Sequence, residues 1–183
     1  MDLDIQNTEQ QQEYWRDNME DIYVCSDLHL DHKNIIEYCN RPYASVEEMN
    51  EALINNWNSV VKENDTVFFL GDFCLGKKEN IIAFGKRLNG RKILITGNHD
   101  HASKITYKEA GFISIYKNEL TVHFDKLNET ITFSHRKVEE PEYPYFNIYG
   151  HSHDKACDDS SHKCACVELW DYKPVLLTTI LSS

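Results

Sequence analysis

The fold is decided by one stretch, Leu94-Ile95-Thr96-Gly97-Asn98-His99-Asp100. The apolar run at residues 92–96 predicts a short buried strand, which Gly97 ends. Three polar residues that are capable of chemistry follow at once. In α/β proteins the carboxyl end of a strand presents such side chains to a crevice where ligands bind. Taken alone, the stretch fits either a functional loop or a polar turn that closes a strand.

Four other apolar runs end in the same way, at residues 22–26, 66–70, 131–133 and 146–149. The polar residues that follow them are Asp27 and His29, then Asp72, then His135, and finally His151 with His153. Carboxylate and imidazole groups are common ligands of metal ions. The repetition therefore favours one shared metal site over five unrelated turns.

The order of these motifs resembles the calcineurin-like metallophosphoesterase family. The motifs are Asp-x-His, Gly-Asp, Gly-Asn-His-Asp, His and Gly-His-x-His, and they extend from Asp27 to His153. The compact length is similar to that of the small bacterial and phage members. The resemblance implies an α/β fold, a four-layer α/β/β/α sandwich of two mixed sheets flanked by helices, with the site at one edge.

The predicted elements agree with two packed sheets, because strands and helices alternate first and strands dominate later. Ser45 and Glu48 form a capping box, and a helix is expected from there to about Lys62. Two more helices are predicted at residues 78–88 and 104–110. Further strands are predicted at residues 112–116, 120–124, 129–133, 163–169 and 175–181, with loops at 139–144 and 156–161.

The resemblance also implies a centre of two divalent metal ions and a hydroxide that bridges them. The ligands would be Asp27, His29 and His153 for one metal, Asn98, His135 and His151 for the other, and Asp72 as the bridge. Manganese is expected, with iron, zinc or nickel as alternatives, because mixed nitrogen and oxygen ligands suit all four. The family pattern makes His99 the acid that protonates the leaving group, and Asp100 the residue that orients His99.

Three further residues are candidates for substrate binding. His32 closely follows the first motif, so it either faces the substrate or has a structural role. Arg41 and Arg136 are candidate phosphate clamps, and surface salt bridges are the alternative for both. Arg136 is the better candidate, because it directly follows His135.

Length and charge limit the possible partners. The chain has 183 residues and 41% hydrophobic residues, which fits a single domain at residues 21–183 after a polar extension at residues 1–20. A cytoplasmic protein is expected, because no apolar run has the length of a membrane span and the first residues do not form a secretory signal. The net charge of −11 disfavours long nucleic acids. A small phosphorylated substrate such as a nucleotide is therefore expected.

The six cysteines are expected to be reduced in such a protein. Cys157, His162, Cys164 and Cys166 lie close together, but their spacing matches no common zinc pattern. Ordinary thiols and a structural zinc site are the two alternatives. If residues 163–169 form a strand, Cys164 and Cys166 lie on one face.

The motifs are compatible with two classes of function. The first is a metal-dependent hydrolase of phosphodiesters or phosphomonoesters, with a nuclease acting on nucleic-acid ends as a variant. The second is a binding protein on the same fold that has lost catalysis. Loss of ligand residues would indicate the second class, and here every ligand position is present. The sequence therefore favours the enzyme.

Overall fold

The computed structural model describes residues 22–139 and 145–183. The extension at residues 1–20 and most of the loop at residues 139–144 lie outside the described residues. The strands are β1 (Ile22–Cys25), β2 (Thr66–Phe69), β3 (Arg91–Thr96), β4 (Phe112–Lys117), β5 (Glu119–Phe124), β6 (Glu129–Ser134), β7 (Tyr145–Tyr149), β8 (His162–Cys164) and β9 (Val175–Leu176). The α-helices are α1 (Ile35–Tyr38), α2 (Val46–Val60), α3 (Lys78–Arg87), α4 (Lys104–Glu109) and α5 (Leu177–Leu181).

The strands form two mixed sheets. The first has the order β4-β3-β2-β1-β9, in which β1 to β4 are parallel and β9 is antiparallel. The second has the order β5-β6-β7-β8, in which only the β5–β6 pair is antiparallel. The predicted fold class, two mixed sheets flanked by helices, is confirmed.

Alternate residues of the first sheet serve two different cores. In β2, Val67 and Phe69 pack with the helices, whereas Phe68 and the following Leu70 pack against the second sheet. Phe68 stacks on Phe133 of β6, with ring centroids 4.2 Å apart and an interplanar angle of 4°. A strand that is buried on both faces reads as a continuous apolar run, which is what the sequence contains at 66–70.

Helix α2 begins at the predicted N-cap Ser45, but the Glu48 side chain reaches one residue further back than a capping box predicts. The Ser45 hydroxyl accepts a hydrogen bond from the Glu48 amide at 3.1 Å, and the Glu48 carboxylate accepts one from the Ala44 amide at 2.9 Å. Met49, Leu53 and Trp57 then face the core. Within the described part of the chain, no helix is long and apolar enough to cross a membrane.

The two last predicted strands are shorter than expected. The strand at residues 163–169 ends at Cys164, because the chain then crosses to the first sheet, where Cys166 bridges Ser26. At residues 175–181 the strand prediction is wrong beyond Leu176, because the chain continues as α5. Leu177 and Ile180 of α5 are both buried between the sheets at helical spacing. A short apolar run does not distinguish a strand from a buried helix.

The stacked phenylalanines predict the cost of opening the core between the sheets. Phe133→Ala should lower the free energy of unfolding by about 3–5 kcal/mol, because it removes a buried ring and leaves a cavity. Thr121→Ala, at an exposed position of the neighbouring strand β5 whose hydroxyl lies 3.0 Å from that of Thr132, should change it by no more than about 1 kcal/mol. Urea unfolding of both variants measures the difference. Equal losses would contradict the assignment of Phe133 to a shared core.

Candidate metal centre

The carboxyl ends of strands from both sheets meet at one edge of the molecule. The loops after β1 and β2 are joined by hydrogen bonds from the Asp27 amide to the Gly71 carbonyl and from the His29 amide to the Asp72 carbonyl, both 3.0 Å long. In the second sheet, the Gly150 amide donates to the His135 carbonyl at 3.0 Å. These bonds bring motifs that are far apart in the sequence to one place.

The predicted ligands fall into two groups. In the first, Nε2 of His29 and Nε2 of His153 lie 3.4 and 3.7 Å from Oδ1 of Asp27. In the second, the ligand atoms of Asp72, His135 and His151 all lie within 4.8 Å of one another. Oδ1 of Asn98 lies 3.0 Å from Nε2 of His135 and so joins the second group.

One oxygen belongs to both groups. Oδ2 of Asp72 lies 3.5 Å from Nε2 of His29 and 3.5 Å from Nε2 of His135. The other carboxylate oxygen, Oδ1, accepts a hydrogen bond from the His99 amide at 2.8 Å. The Asp72 side chain is therefore held so that its second oxygen points between the groups.

Buried atoms in the first group fit a metal ion. Oδ1 of Asp27 and Nε2 of His29 are both buried, and neither has a hydrogen-bond partner in the described parts of the chain. Burial acts to raise the pKa of the Asp27 carboxyl, but the neighbouring imidazoles of His29 and His135 hold that pKa well below its usual range. An ionised, buried carboxylate oxygen without a partner is costly, and a divalent cation would satisfy it.

Hydrogen bonds on the far side of the imidazoles fix which nitrogen faces the site. Nδ1 of His135 lies 2.8 Å from the Leu70 carbonyl, and Nδ1 of His153 lies 2.9 Å from the Glu168 carboxylate. Nδ1 therefore carries the proton in each neutral ring, and the lone pair of Nε2 is directed to the ligand groups.

The backbone at the ligands is strained. Of the eleven non-glycine residues with positive φ angles in the described chain, five are proposed ligands, namely Asp27 (59°), His29 (51°), Asp72 (57°), His151 (67°) and His153 (49°). Such conformations cost about 1–3 kcal/mol each and persist where the surrounding structure enforces them, often at functional sites. The concentration of strain at these positions supports a functional role for the loops.

Gly97 is required by the close approach of the two loops. A Cβ at this position would fall on the Asp72 carboxylate and within 2.8 Å of the His135 ring. Because Gly97 has no side chain, the end of β3 can lie directly against Asp72.

His99 lies beside the ligand groups and belongs to neither of them. Its side chain is 41% exposed, and Nε2 lies 4.0 Å from Oδ2 of Asp72. This position leaves the imidazole accessible from solvent and close to the shared oxygen.

Comparison with known proteins decides the family. The calcineurin-like phosphoesterase superfamily domain matches residues 20–168, which is most of the chain. The chain belongs to this superfamily. A calcineurin-like phosphoesterase is a metal-dependent hydrolase that acts on phosphoric esters, and the two ligand groups are its candidate metal sites.

Individual relatives of this phosphoesterase come from an archaeon, a phage and a bacterium. An uncharacterised protein of Methanocaldococcus jannaschii is 38% identical over 172 residues, which cover 90% of this chain and 91% of that protein. The Gene 66 protein of Mycobacterium phage L5 is 44% identical over 85 residues, 45% of this chain and 41% of its own length. The crystal structure of a protein of unknown function from Aquifex aeolicus has a TM-score of 0.66 and 30% identity, and covers 84% of this chain and 94% of its own.

The Asp100 carboxylate of the phosphoesterase is bound by backbone amides of two loops. Its carboxylate accepts hydrogen bonds from the amides of Asp72 (2.7 Å), Gly97 (2.8 Å) and Phe73 (3.1 Å), and from the Tyr107 hydroxyl (3.2 Å). With both oxygens occupied in this way, the carboxylate makes no hydrogen bond to the His99 ring. In this structure Asp100 joins the loops after β2 and β3, and the predicted orientation of His99 by Asp100 has no direct hydrogen bond to act through.

Arg41 is also structural rather than a phosphate clamp. Its guanidinium is buried and donates to the carbonyls of Asp27 (2.7 Å) and Leu28 (2.8 Å) and to the Glu168 carboxylate (2.6 Å). The same Glu168 oxygen lies against His153, so Arg41 supports the first ligand group from behind. Glu168 was not among the predicted residues, because it follows the last motif by 15 residues and matches no spacing rule.

The two remaining candidates for substrate binding lie at the rim. Nη2 of Arg136 lies 3.3 Å from Oδ1 of Asn98, and the exposed Arg136 lines a cavity of about 360 Å³ beside the second ligand group. Nδ1 of His32 lies 3.3 Å from Nδ1 of His29, next to the first group. Burial, together with the neighbouring His29, lowers the pKa of His32 to about 4.

The remaining candidates for a zinc site, His162, Cys164 and Cys166, contact other residues of the chain. His162 uses Nδ1 for the Asp159 carboxylate and Nε2 for the Val138 carbonyl, both at 2.8 Å. Cys164 and Cys166 pack in one small cluster with Tyr149, although the strand ends at Cys164. Cys166 donates to Oδ2 of Asp27 at 3.3 Å, so its thiol contacts a candidate metal ligand.

The structural role of Asp100 is testable through stability. Asp100→Asn should lower the free energy of unfolding by about 1.5–3 kcal/mol, because a charged acceptor for three amides is lost. His99→Asn, at an exposed side chain, should change it by less than about 0.5 kcal/mol. Urea unfolding with a chelator present keeps metal binding out of the comparison. If Asp100 only oriented His99, its replacement would leave stability unchanged.

Proposed function

We propose that this phosphoesterase uses two divalent metal ions to hydrolyse a phosphodiester or phosphomonoester of a small, nucleotide-like substrate. The observation that supports two ions is the position of the Asp72 carboxylate, whose Oδ2 is equally distant, at 3.5 Å, from a histidine of each ligand group. A shared carboxylate is what two neighbouring ions need, because each has too few ligands of its own. Manganese is the expected metal, with iron, zinc or nickel as alternatives.

The proposed ligands are Asp27, His29 and His153 for one ion, Asn98, His135 and His151 for the other, and Asp72 for both. Two bound ions would neutralise the charge of the ester and make a nucleophile available from water at neutral pH. The chain's own contribution is to hold these side chains in fixed directions, through the hydrogen bonds of His135 and His153.

The charge balance of the site suits an anionic substrate. Only two carboxylates, Asp27 and Asp72, belong to the two ligand groups, against four positive charges from two divalent ions. The nearby carboxylates are engaged elsewhere, since Asp100 accepts from backbone amides and Glu168 pairs with Arg41. A net positive charge therefore remains to attract a phosphate, although the whole chain carries −11.

His99 is the proposed proton donor. It lies at the exposed side of the site, 4.0 Å from the shared Asp72 oxygen, and belongs to neither ligand group. A leaving alkoxide needs a proton, and an imidazole can supply one near neutral pH. Arg136, on the side of Asn98, is proposed to contact the phosphate.

The alternatives are a nuclease acting on nucleic-acid ends and a binding protein without catalysis. A binding protein does not require metal ligands. All seven proposed ligand residues are present in the chain, which favours the enzyme. The negative net charge favours a small substrate over a nucleic acid.

Metal removal is the first test of this proposal. A chelator should abolish hydrolysis of bis-p-nitrophenyl phosphate and p-nitrophenyl phosphate, and added manganese should restore it best. Metal content measured beside activity should approach two ions per chain at full activity. Undiminished turnover by rigorously metal-free protein would contradict the proposal.

Substitution of two histidines separates proton donation from metal binding. His99→Asn should keep both ions and lose about 10²- to 10⁴-fold in turnover for an alkoxide leaving group. The loss should be much smaller for p-nitrophenolate, which needs little protonation. His135→Asn, the matched ligand variant, should lose metal and fail with both leaving groups. Loss of metal from His99→Asn, or equal losses with both leaving groups, would exclude His99 as the donor.

A further inference from the structure

One cavity extends outward from the first ligand group. A cavity of about 580 Å³ is bordered at its inner end by His29, Asp72 and His99. Its outer wall is formed by His32 and by Ile35 and Tyr38 of helix α1. With phosphate at the metal ligands, the non-reacting part of an ester would extend along this wall.

The Tyr38 side chain at the mouth of the cavity is unusually exposed. It is 68% exposed, more than any other large hydrophobic residue in the described ranges. A single exposed apolar residue needs no explanation by itself. Tyr38 differs from the other strongly exposed examples, Ile105 and Leu169, because it alone of the three lines the cavity that reaches the ligands.

A series of rings connects Tyr38 to the centre. The His29 and His32 ring centroids lie 5.2 Å apart, and the His32 and Tyr38 centroids lie 6.2 Å apart with an interplanar angle of 79°. The edge-to-face contact with His32 supports the Tyr38 ring and leaves most of it open to solvent. Ile35, which is 4% exposed, adds an apolar surface to the same wall. An open aromatic ring of this kind can stack with another planar ring.

The rim of the cavity also carries polar groups. Ser152, Asp154 and Lys155 line it together with Tyr38. These side chains provide hydrogen-bond donors and acceptors. The edge of a nucleobase can pair with such groups, whereas a hydrocarbon ring cannot. Stacking on a tyrosine combined with polar groups at the rim is a common way to hold a base.

We infer that Tyr38, supported by His32, is the stacking platform for the base of a nucleotide phosphoester. This inference rests on the proposed function, because it needs the phosphate at the metal ligands. It narrows the substrate class to esters that carry a nucleobase on the non-leaving side. Tyr38 is then a specificity residue that binds the substrate equally before and during the reaction.

Two substrates with the same leaving group test the platform. Thymidine 5′-(p-nitrophenyl phosphate) carries a base, and methyl p-nitrophenyl phosphate does not. In the manganese-loaded enzyme, Tyr38→Ala should raise KM for the thymidine ester about tenfold or more with kcat nearly unchanged, as expected for lost stacking. It should leave kcat/KM for the methyl ester unchanged, and Tyr38→Phe should restore the thymidine ester to wild-type values.

Ile105→Ala is the matched control, because Ile105 is 67% exposed and does not line the cavity. It should leave both substrates unaffected. Bis-p-nitrophenyl phosphate is a third substrate, which carries an aromatic ring but no base. If Tyr38→Ala raises KM for it as much as for the thymidine ester, Tyr38 prefers any aromatic ring, and the assignment to a base is overturned. If the wild type hydrolyses the methyl ester but Tyr38→Ala changes neither KM, the platform is wrong and the phosphoesterase proposal stands. If the wild type hydrolyses p-nitrophenyl phosphate alone, the platform is wrong and the phosphoesterase proposal stands. If it hydrolyses neither the three diesters nor p-nitrophenyl phosphate, the proposed function itself fails.

Discussion

The site depends on the carboxylate of Asp100, which holds the ends of β2 and β3 together. Three backbone amides from two loops donate to this one side chain, at 2.7 to 3.1 Å. Burial raises the pKa of the Asp100 carboxyl, while the three amides act to lower it. The bonds fix the Asp72 backbone against Gly97, and this fixes the Asp72 side chain between the two ligand groups. Asp100 therefore determines where the shared ligand lies without being a ligand itself.

A second network supports the opposite side of the centre. Arg41 is a buried cation whose guanidinium donates to two carbonyls of the first motif and to Glu168. Buried ion pairs are costly when their polar atoms are not satisfied. Here the donors of Arg41 have carbonyl and carboxylate partners, so the network can keep the loop at Asp27 in its left-handed conformation. Through Glu168, the same network fixes the ring of His153.

The sequence predicts the positions of the proposed ligands better than it predicts the residues that support them. Each ligand follows an apolar strand within a few residues, so periodicity and residue type locate it. Arg41 and Glu168 are 127 residues apart and meet only because the chain crosses from the second sheet to β1 after Cys164. That crossing also explains why a strand at residues 163–169 was a reasonable but incorrect prediction. Asp100 was found by its motif, but its role depends on a contact with β2 that adjacency to His99 does not reveal.

The geometry at the ligands links folding of the site to cation binding. In the first group, a carboxylate oxygen of Asp27 and a ring nitrogen of His29 are buried, and neither atom has a hydrogen-bond partner in the described chain. Five of the seven proposed ligands, Asp27 and His29 among them, also have positive φ angles. The unpaired buried atoms and the strained φ angles both lower the stability of the folded loops. Both occur at residues that can bind a metal ion. A cation that binds only the folded chain offsets such costs by mass action. The two sheets are held by strand pairing and apolar packing, whereas an ion bound by the loops at their edge would add to the stability of those loops.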